Sequence, residues 1–362
     1  MGSIRTLLAL SVVFAHTYGF VFVGGQLAVQ LFYVISGFLI SYILVEVRTY
    51  RSITSFYLNR FLRLFPLYWF IAILTLLAIT ISTFIFNKEH QLIPTYAALD
   101  LDARLSLTIS NLILFGQDWL NFTGVKGGEF QFLTNFRESD VPIWNGLLLP
   151  QAWTLGLELC FYLIAPFVLI RRNLMITLLL CSLALRAYLI YIGLGTQHPW
   201  TYRFFPTELA LFLLGACSHQ FLKPIYEKKD LLTENISKLI TVAIFFCCSV
   251  FFLLPYRLIS GLLLFSVFIL SLPFLFNFQS KKRWDRKIGD LSYPIYISHM
   301  LVIWIVGFIL KAVNIETKPI IWALIIVLVT IIFSQLINLS IGKFVEKYRN
   351  KVKDQTNHSK PC

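Results

Sequence analysis

Apolar stretches of about twenty residues return along the whole chain, and this spacing constrains the fold more than any motif does, because about twenty helical residues cross a ~30 Å hydrocarbon layer. Of the 362 residues, 57% are hydrophobic and 14% charged. A soluble domain of this length carries about 25% charged residues, so soluble α/β and β-sandwich architectures are excluded. The expected fold is all-α, a polytopic transmembrane helical bundle of about ten spans with no soluble catalytic domain. The spans run over roughly 4–23, 27–47, 61–86, 150–170, 173–194, 203–221, 236–254, 257–276, 291–311 and 319–341.

Residues 1–342 are expected to form the membrane domain. Within it, 87–149 is a long, polar, mildly acidic segment whose apolar piece near 105–116 reads as a re-entrant or surface helix. Residues 343–362 read as a frayed polar tail. No internal repeat of the kind that builds many transporters is visible. The net charge of +13 would suggest nucleic acid on a soluble domain. Here the basic residues lie between apolar runs, and no nucleic-acid partner is expected. With the spans above, 22 of the 31 Lys and Arg fall on one side and 8 on the other, with Arg186 inside a span. That bias predicts cytoplasmic termini and an outward-facing 87–149 segment. The first run is not read as a removed signal peptide, since no convincing cleavage site follows it and Tyr18, Phe20 and Phe22 suit a retained span. Cys160, Cys181, Cys217, Cys247 and Cys248 lie in apolar runs and read as reduced, packed thiols. Cys362 has no C-a-a-X context, so no lipid anchor is read. Without C-x-x-C or His–Cys clusters no metal site is implied.

Few polar residues interrupt the apolar runs. Arg5 and His16 are eleven residues apart in the first, on one helix face and roughly 16 Å apart along the axis. With Arg5 at the membrane surface, His16 falls near mid-bilayer, where a titratable group reads as functional. Its imidazole suits a general base or a nucleophile, and equally a hydrogen-bonded helix interface. Arg60 and Arg63, three residues apart, read as neighbours on one face at the mouth of the third span. They fit a phosphate clamp or an ordinary positive-inside anchor. Ser36-Gly37 gives the second span a small surface, for a ligand or for helix packing. Glu158, inside the fourth span, must be protonated or paired, with an arginine or with the second nitrogen of His16. Arg186 and Glu208 are expected to satisfy each other, and Arg203 has a weaker claim to touch an acceptor. His299 closes Ser292-Tyr293-Pro294-Ile295-Tyr296-Ile297-Ser298-His299, as support for a donor site or as a packing histidine. Phe115, Trp119, Phe122, Phe130, Phe132 and Trp144 would stack on sugars or lie on the membrane.

Taken together and in this order, the Arg5–His16 pair, Arg60-x-x-Arg63, the Phe32–Ile40 run, the Trp153–Tyr162 run and Ser292–His299 resemble the acyltransferase 3 family of membrane O-acyltransferases. The resemblance implies an acyl-coenzyme A co-substrate, usually acetyl-CoA, bound from the cytoplasm, with no tightly bound cofactor. The acyl group goes to a hydroxyl of a carbohydrate or glycolipid acceptor at or across the membrane, with membrane lipid as the surrounding partner. It implies His16 as the catalytic residue, with Arg5, Arg60 and Arg63 serving catalysis or the donor. With the readings above, the expected catalytic set is His16, Arg5 and Glu158. The expected donor set is Arg60, Arg63, Ser36, Gly37 and His299. Where the family often has two adjacent acidic residues, this chain has Glu158 followed by Leu159. The expected setting is a bacterial plasma (inner) membrane. An alternative of another class is a transporter or flippase of a glycan or lipid, with His16, Glu158 and Arg186 along its path.

Overall fold

The computed structural model describes residues 1–50, 52–255 and 257–354. Arg51, Lys360 and Cys362, which entered the charge and thiol readings, lie outside the described residues. Helices α1 (Gly2–Thr17), α2 (Gly24–Ser41) and α3 (Ile53–Phe84) come first. Helices α4 (Leu92–Ala98) and α5 (Leu101–Ile113) precede an antiparallel hairpin of β1 (Thr123–Lys126) and β2 (Glu129–Phe132). The chain continues through α6 (Trp153–Val168), α7 (Arg172–Tyr191), α8 (Phe205–Cys217), α9 (Lys223–Lys228), α10 (Glu234–Val250) and α11 (Arg257–Ser280). Helices α12 (Arg283–Gly289), α13 (Ser292–Ala312), α14 (Pro319–Ile337) and α15 (Lys343–Asp354) follow.

Among the described residues, eight helical runs are long and apolar enough to cross a membrane, and the chain is an integral membrane protein with an all-α bundle. A helix lies at each of the ten expected positions, but α1 and α8 are not among those eight. Both pack against α2 in the interior, where they exchange length and apolar character for polar groups. Glu208 of α8, fully buried, accepts from Arg186 Nη2 at 2.5 Å and from Gln30 Nε2 at 3.1 Å, so the expected Arg186–Glu208 pairing is present. The α2–α8 crossing is close because glycines face each other's helices. A Cβ on Gly37 would collide with the carbonyl of Phe212, and one on Gly215 with that of Val34.

Helix α1 is fixed at its start by a residue distant in sequence. The buried carboxylate of Asp285, on α12, accepts from the N–H groups of Gly2 (2.6 Å) and Ser3 (2.8 Å) and from Ser3 Oγ (2.6 Å). An anion there satisfies otherwise orphaned donors and complements the helix dipole. The helix stops at Thr17, not near residue 23, because the chain turns through Gly19 (φ +128°) and Gly24 (φ +71°), conformations that favour glycine. Its 16 residues span roughly 24 Å. His16 therefore occupies the last turn of α1 and not its middle.

Residues 85–152 form a cap over the His16 end. The cap has its own small core of Leu99, Ala103, Leu107, Leu120, Val125, Ile143 and Leu147. Asn111 ties it together, donating to the Gly146 carbonyl (2.9 Å) and accepting from Leu148 N–H (3.0 Å). Tyr68 and Trp69 of α3 anchor it through the Asn111 and Leu112 carbonyls. Helix α5 exposes Leu101, Leu105, Ile109 and Leu112 along one stripe, the pattern of a helix lying on a membrane surface. At the opposite end, 343–354 is not frayed: α15 continues α14 through a wide turn at Asn338–Gly342 and packs on α3.

Candidate active site

Three cavities lie in file through the bundle, each sharing lining residues with the next. The first, of about 610 Å³, is at the Arg5 end. Arg5, Arg63, Arg286, Lys343 and Arg349 line it, against Asp290 and Glu346. Such an excess of cation, all five groups being built into helices α1, α3, α12 and α15, suits a phosphorylated ligand, which guanidinium binds bidentately.

Arg5 and Tyr293 also line the second cavity, a neck of about 50 Å³. There Glu158 accepts from Ser36 Oγ at 2.9 Å and from Tyr162 Oη in a very short hydrogen bond. Tyr33, which also lines the neck, has a buried hydroxyl without a hydrogen-bond partner among the described residues. The neck has room for a few water molecules and no more, one water needing about 10–15 Å³ of such space.

Val29 and Tyr296 connect the neck to the third cavity, of about 530 Å³, which holds His16. Its ring is accessible through this cavity. The walls carry Trp144, Trp153, Tyr202 and Phe136 together with Asn121, Gln26 and Gln151. Arg203 lies here too, stacked over Trp153 at 4.7 Å and hydrogen-bonded to Asn121 Oδ1. Behind His16 is His299, fully buried, with the ring centroids 5.2 Å apart. His299 Nδ1 lies 2.6 Å from the Tyr296 carbonyl, so that nitrogen carries the proton and Nε2 is left as an acceptor. Nε2 is buried and has no hydrogen-bond partner among the described residues.

Beside this cavity, Asp118 is buried in the cap, its Oδ1 unpartnered among the described residues. Gly156 of α6 makes space for it, since a Cβ there would stand 2.7 Å from that oxygen. Burial pushes the Asp118 carboxyl up to about 7, against the pull of its own and Trp119's N–H groups.

The structure thus brings Arg5, Arg63, Ser36, Glu158 and His16 onto one path, and moves other expected residues off it. Arg60 lines none of the three cavities. Three helical residues turn ~300°, leaving ~60° between Arg60 and Arg63, enough to aim them apart. Arg60 donates to Asn59 Oδ1 (2.8 Å) and Tyr50 Oη (3.0 Å) and lies 5.6 Å from the Tyr162 ring centroid. It braces the tyrosine that holds Glu158. Gly37 faces α8 and serves the crossing, not a ligand. His299 stands with His16 and not at the arginine mouth. No hydrogen bond joins Glu158 to His16 among the described residues. Of the six aromatic residues expected to meet a sugar, Trp144 lines the His16 cavity. Phe122 and Phe132 instead stack on each other and meet Trp200 edge to face. Residues that sequence reasoning passed over include Arg286, Lys343 and Arg349, which read only as positive-inside charge, and Trp153 and Tyr202, which carried no stacking signal of their own.

Comparison with known proteins agrees with this architecture. No solved structure matches the chain. An uncharacterized protein of Aquifex aeolicus (strain VF5) is 30% identical over 190 residues, covering 49% of this chain and 79% of that protein. The model of the acyltransferase 3 family, described as an acyltransferase domain, matches residues 2–339, from the first turn of α1 to beyond the end of α14. The chain belongs to the acyltransferase 3 family.

Proposed function

We propose that the protein is an acyl-coenzyme A-dependent O-acyltransferase that moves an acetyl group from a cytoplasmic donor to a hydroxyl of a sugar, polysaccharide or glycolipid. The single observation that carries this proposal is the file of cavities, cationic at the Arg5 end and open to His16 at the other. In this proposal the Arg5 end faces the cytoplasm, as the charge bias favours, and α1 and α8 complete ten spans. Arg5 and Arg63 hold donor phosphates. The pantetheine arm passes the neck beside Ser36 and Glu158, over the roughly 16 Å that separates Arg5 from His16 along the helix. The neck widens to admit the arm and otherwise stays closed, keeping the thioester from bulk water.

The acceptor hydroxyl enters from the cap side, between aromatic faces that suit a sugar ring. Its oxygen bonds to the thioester carbonyl carbon while the carbon–sulfur bond breaks. His16 takes the hydroxyl proton, and the departing thiolate recovers one to leave as coenzyme A thiol. In the two-step version the His16 nitrogen is acylated first and the hydroxyl then takes the acyl group. Trapping an acyl-imidazole with donor alone favours the second version; transfer with no such species favours the first.

The test is release of coenzyme A thiol from acetyl-coenzyme A by purified protein with a glycan acceptor. The expected result is acceptor-dependent release, lost in His16→Gln. Absence of release from the wild-type protein, with the acceptor instead crossing the bilayer of a vesicle, overturns the proposal in favour of transport. Mass spectrometry of surface polysaccharides with and without the protein identifies the acceptor.

A further inference from the structure

The family domain ends at residue 339, and α15 begins at Lys343, yet this helix supplies part of the wall at the arginine mouth. We infer that α15 is part of the donor site, and that Arg349 and Lys343 bind phosphate of the nucleotide end of the coenzyme A thioester. The inference rests on the acyl-coenzyme A reading above and extends the donor site beyond Arg5 and Arg63.

The packing of α15 supports this assignment. The helical run Pro319–Val352 has 34 residues, roughly 51 Å of helix against a ~30 Å hydrocarbon layer. Its last turns therefore reach beyond the thickness of such a layer, while still packed on α3. Helix α15 is amphipathic in a way that fits a wall and not a free tail. Val345, Glu346, Arg349 and Asn350, spaced at three and four residues, share the face that lines the cavity. Phe344 and Tyr348 pair on another face, their centroids 4.8 Å apart, and remain exposed.

Arg349 is tied to the arginine-bearing turn of α3. Asn59 Nδ2 donates to the Arg349 carbonyl at 3.4 Å, and Asn59 Oδ1 accepts from Arg60 at 2.8 Å. The guanidinium itself has few partners to lose. Nη1 meets Glu346 at 2.5 Å, Nη2 reaches Asn59 only at 3.5 Å, and Nε has no hydrogen-bond partner among the described residues. Such a group, beside Arg63 in one cavity, is suited to accept a phosphate by a charge-assisted pair.

The test is isothermal titration of coenzyme A, and separately of pantetheine, into the detergent-solubilised full chain. Arg349→Ala is expected to weaken coenzyme A about tenfold, Lys343→Ala about threefold, and Arg349→Lys less than Arg349→Ala. Pantetheine, which lacks the nucleotide, is expected to bind all of them as it binds the wild type. If Arg349→Ala and Lys343→Ala bind coenzyme A like the wild type while Arg63→Ala does not, the inference falls and the donor reading stands. If the wild-type protein binds no coenzyme A, both fall. If Arg349→Ala loses coenzyme A and pantetheine together, with a lowered unfolding midpoint, the helix has only a structural role and the inference falls.

Discussion

The two ends of the path handle charge in different ways. At the Arg5 end the cations are arginine and lysine, charged at any pH near neutral, and they outnumber the acids beside them. At the His16 end two arginines line the cavity, Arg203, engaged by Trp153 and Asn121, and Arg137, which lies over the Phe136 ring, and most of the remaining wall is aromatic or amide. The first arrangement attracts and holds a polyanion. The second suits a neutral, hydroxylated molecule met by stacking and hydrogen bonds, as the proposed acceptor requires. The neck separates these surfaces, so a ligand of one end does not see the other except through it.

The contrast is broken most severely at His16, where the proposed reaction brings donor and acceptor together. His16→Gln is expected to lower kcat about a thousandfold, with donor and acceptor binding retained. Single-turnover transfer of labelled acetyl is the measurement, and a rate within threefold of wild type would mean the imidazole is a bystander. Next is Arg63→Ala, expected to raise the donor KM between about tenfold and a hundredfold and to leave the acceptor KM alone. The complementary change, Trp144→Ala, is expected to raise the acceptor KM by about three- to tenfold with no effect on the donor. Initial-rate kinetics with both substrates varied tests the pair. Crossed effects, Arg63 altering the acceptor or Trp144 the donor, would show that the ends are not separate.

The sequence carried the parts of this design that depend on one segment at a time. Apolar run length gave a helix at each expected position, and the eleven-residue spacing put Arg5 and His16 on one face of α1. What was not legible depends on which helix meets which. The Arg60–Arg63 spacing gives neighbours on a face but not the partner of each, and Asn59, Tyr50 and Tyr162 take Arg60 away from the cavity. Ser36-Gly37 signals a small surface without saying that α8 occupies it. Asp285 caps α1 across more than 280 positions, which no local pattern encodes. Helix α15 reads as polar tail because its partners, α3 and the mouth, lie far away in sequence. The early end of α1 was visible in Gly19, Gly24 and Gly25, but uninterrupted apolar character outweighed those glycines.

The smallest expected effect on turnover sharpens the comparison from the side of pH. The cap at the His16 end contains a carboxyl that titrates near neutrality, Asp118, raised by burial from 3.8 to about 7. A raised carboxyl pKa means that the folded cap holds a proton the unfolded chain has released. Its contribution to stability is therefore fully present below about 3.8 and falls as the pH rises towards 7, by at most ~1.4 kcal/mol per pH unit. Above that range it is constant. Asp118→Asn keeps the shape of the side chain and removes the proton. The variant is expected to show a flatter dependence of its unfolding midpoint on pH between 4 and 7 and a higher midpoint than wild type at pH 8. Turnover per folded molecule is expected to change little, since Asp118 lies behind Gly156 and not on the path. Thermal unfolding in detergent across this range, beside turnover at each pH, is the measurement. Parallel wild-type and variant curves would mean that Asp118 is ionised in the folded cap, and that both ends of the molecule keep their charges fixed through neutral pH.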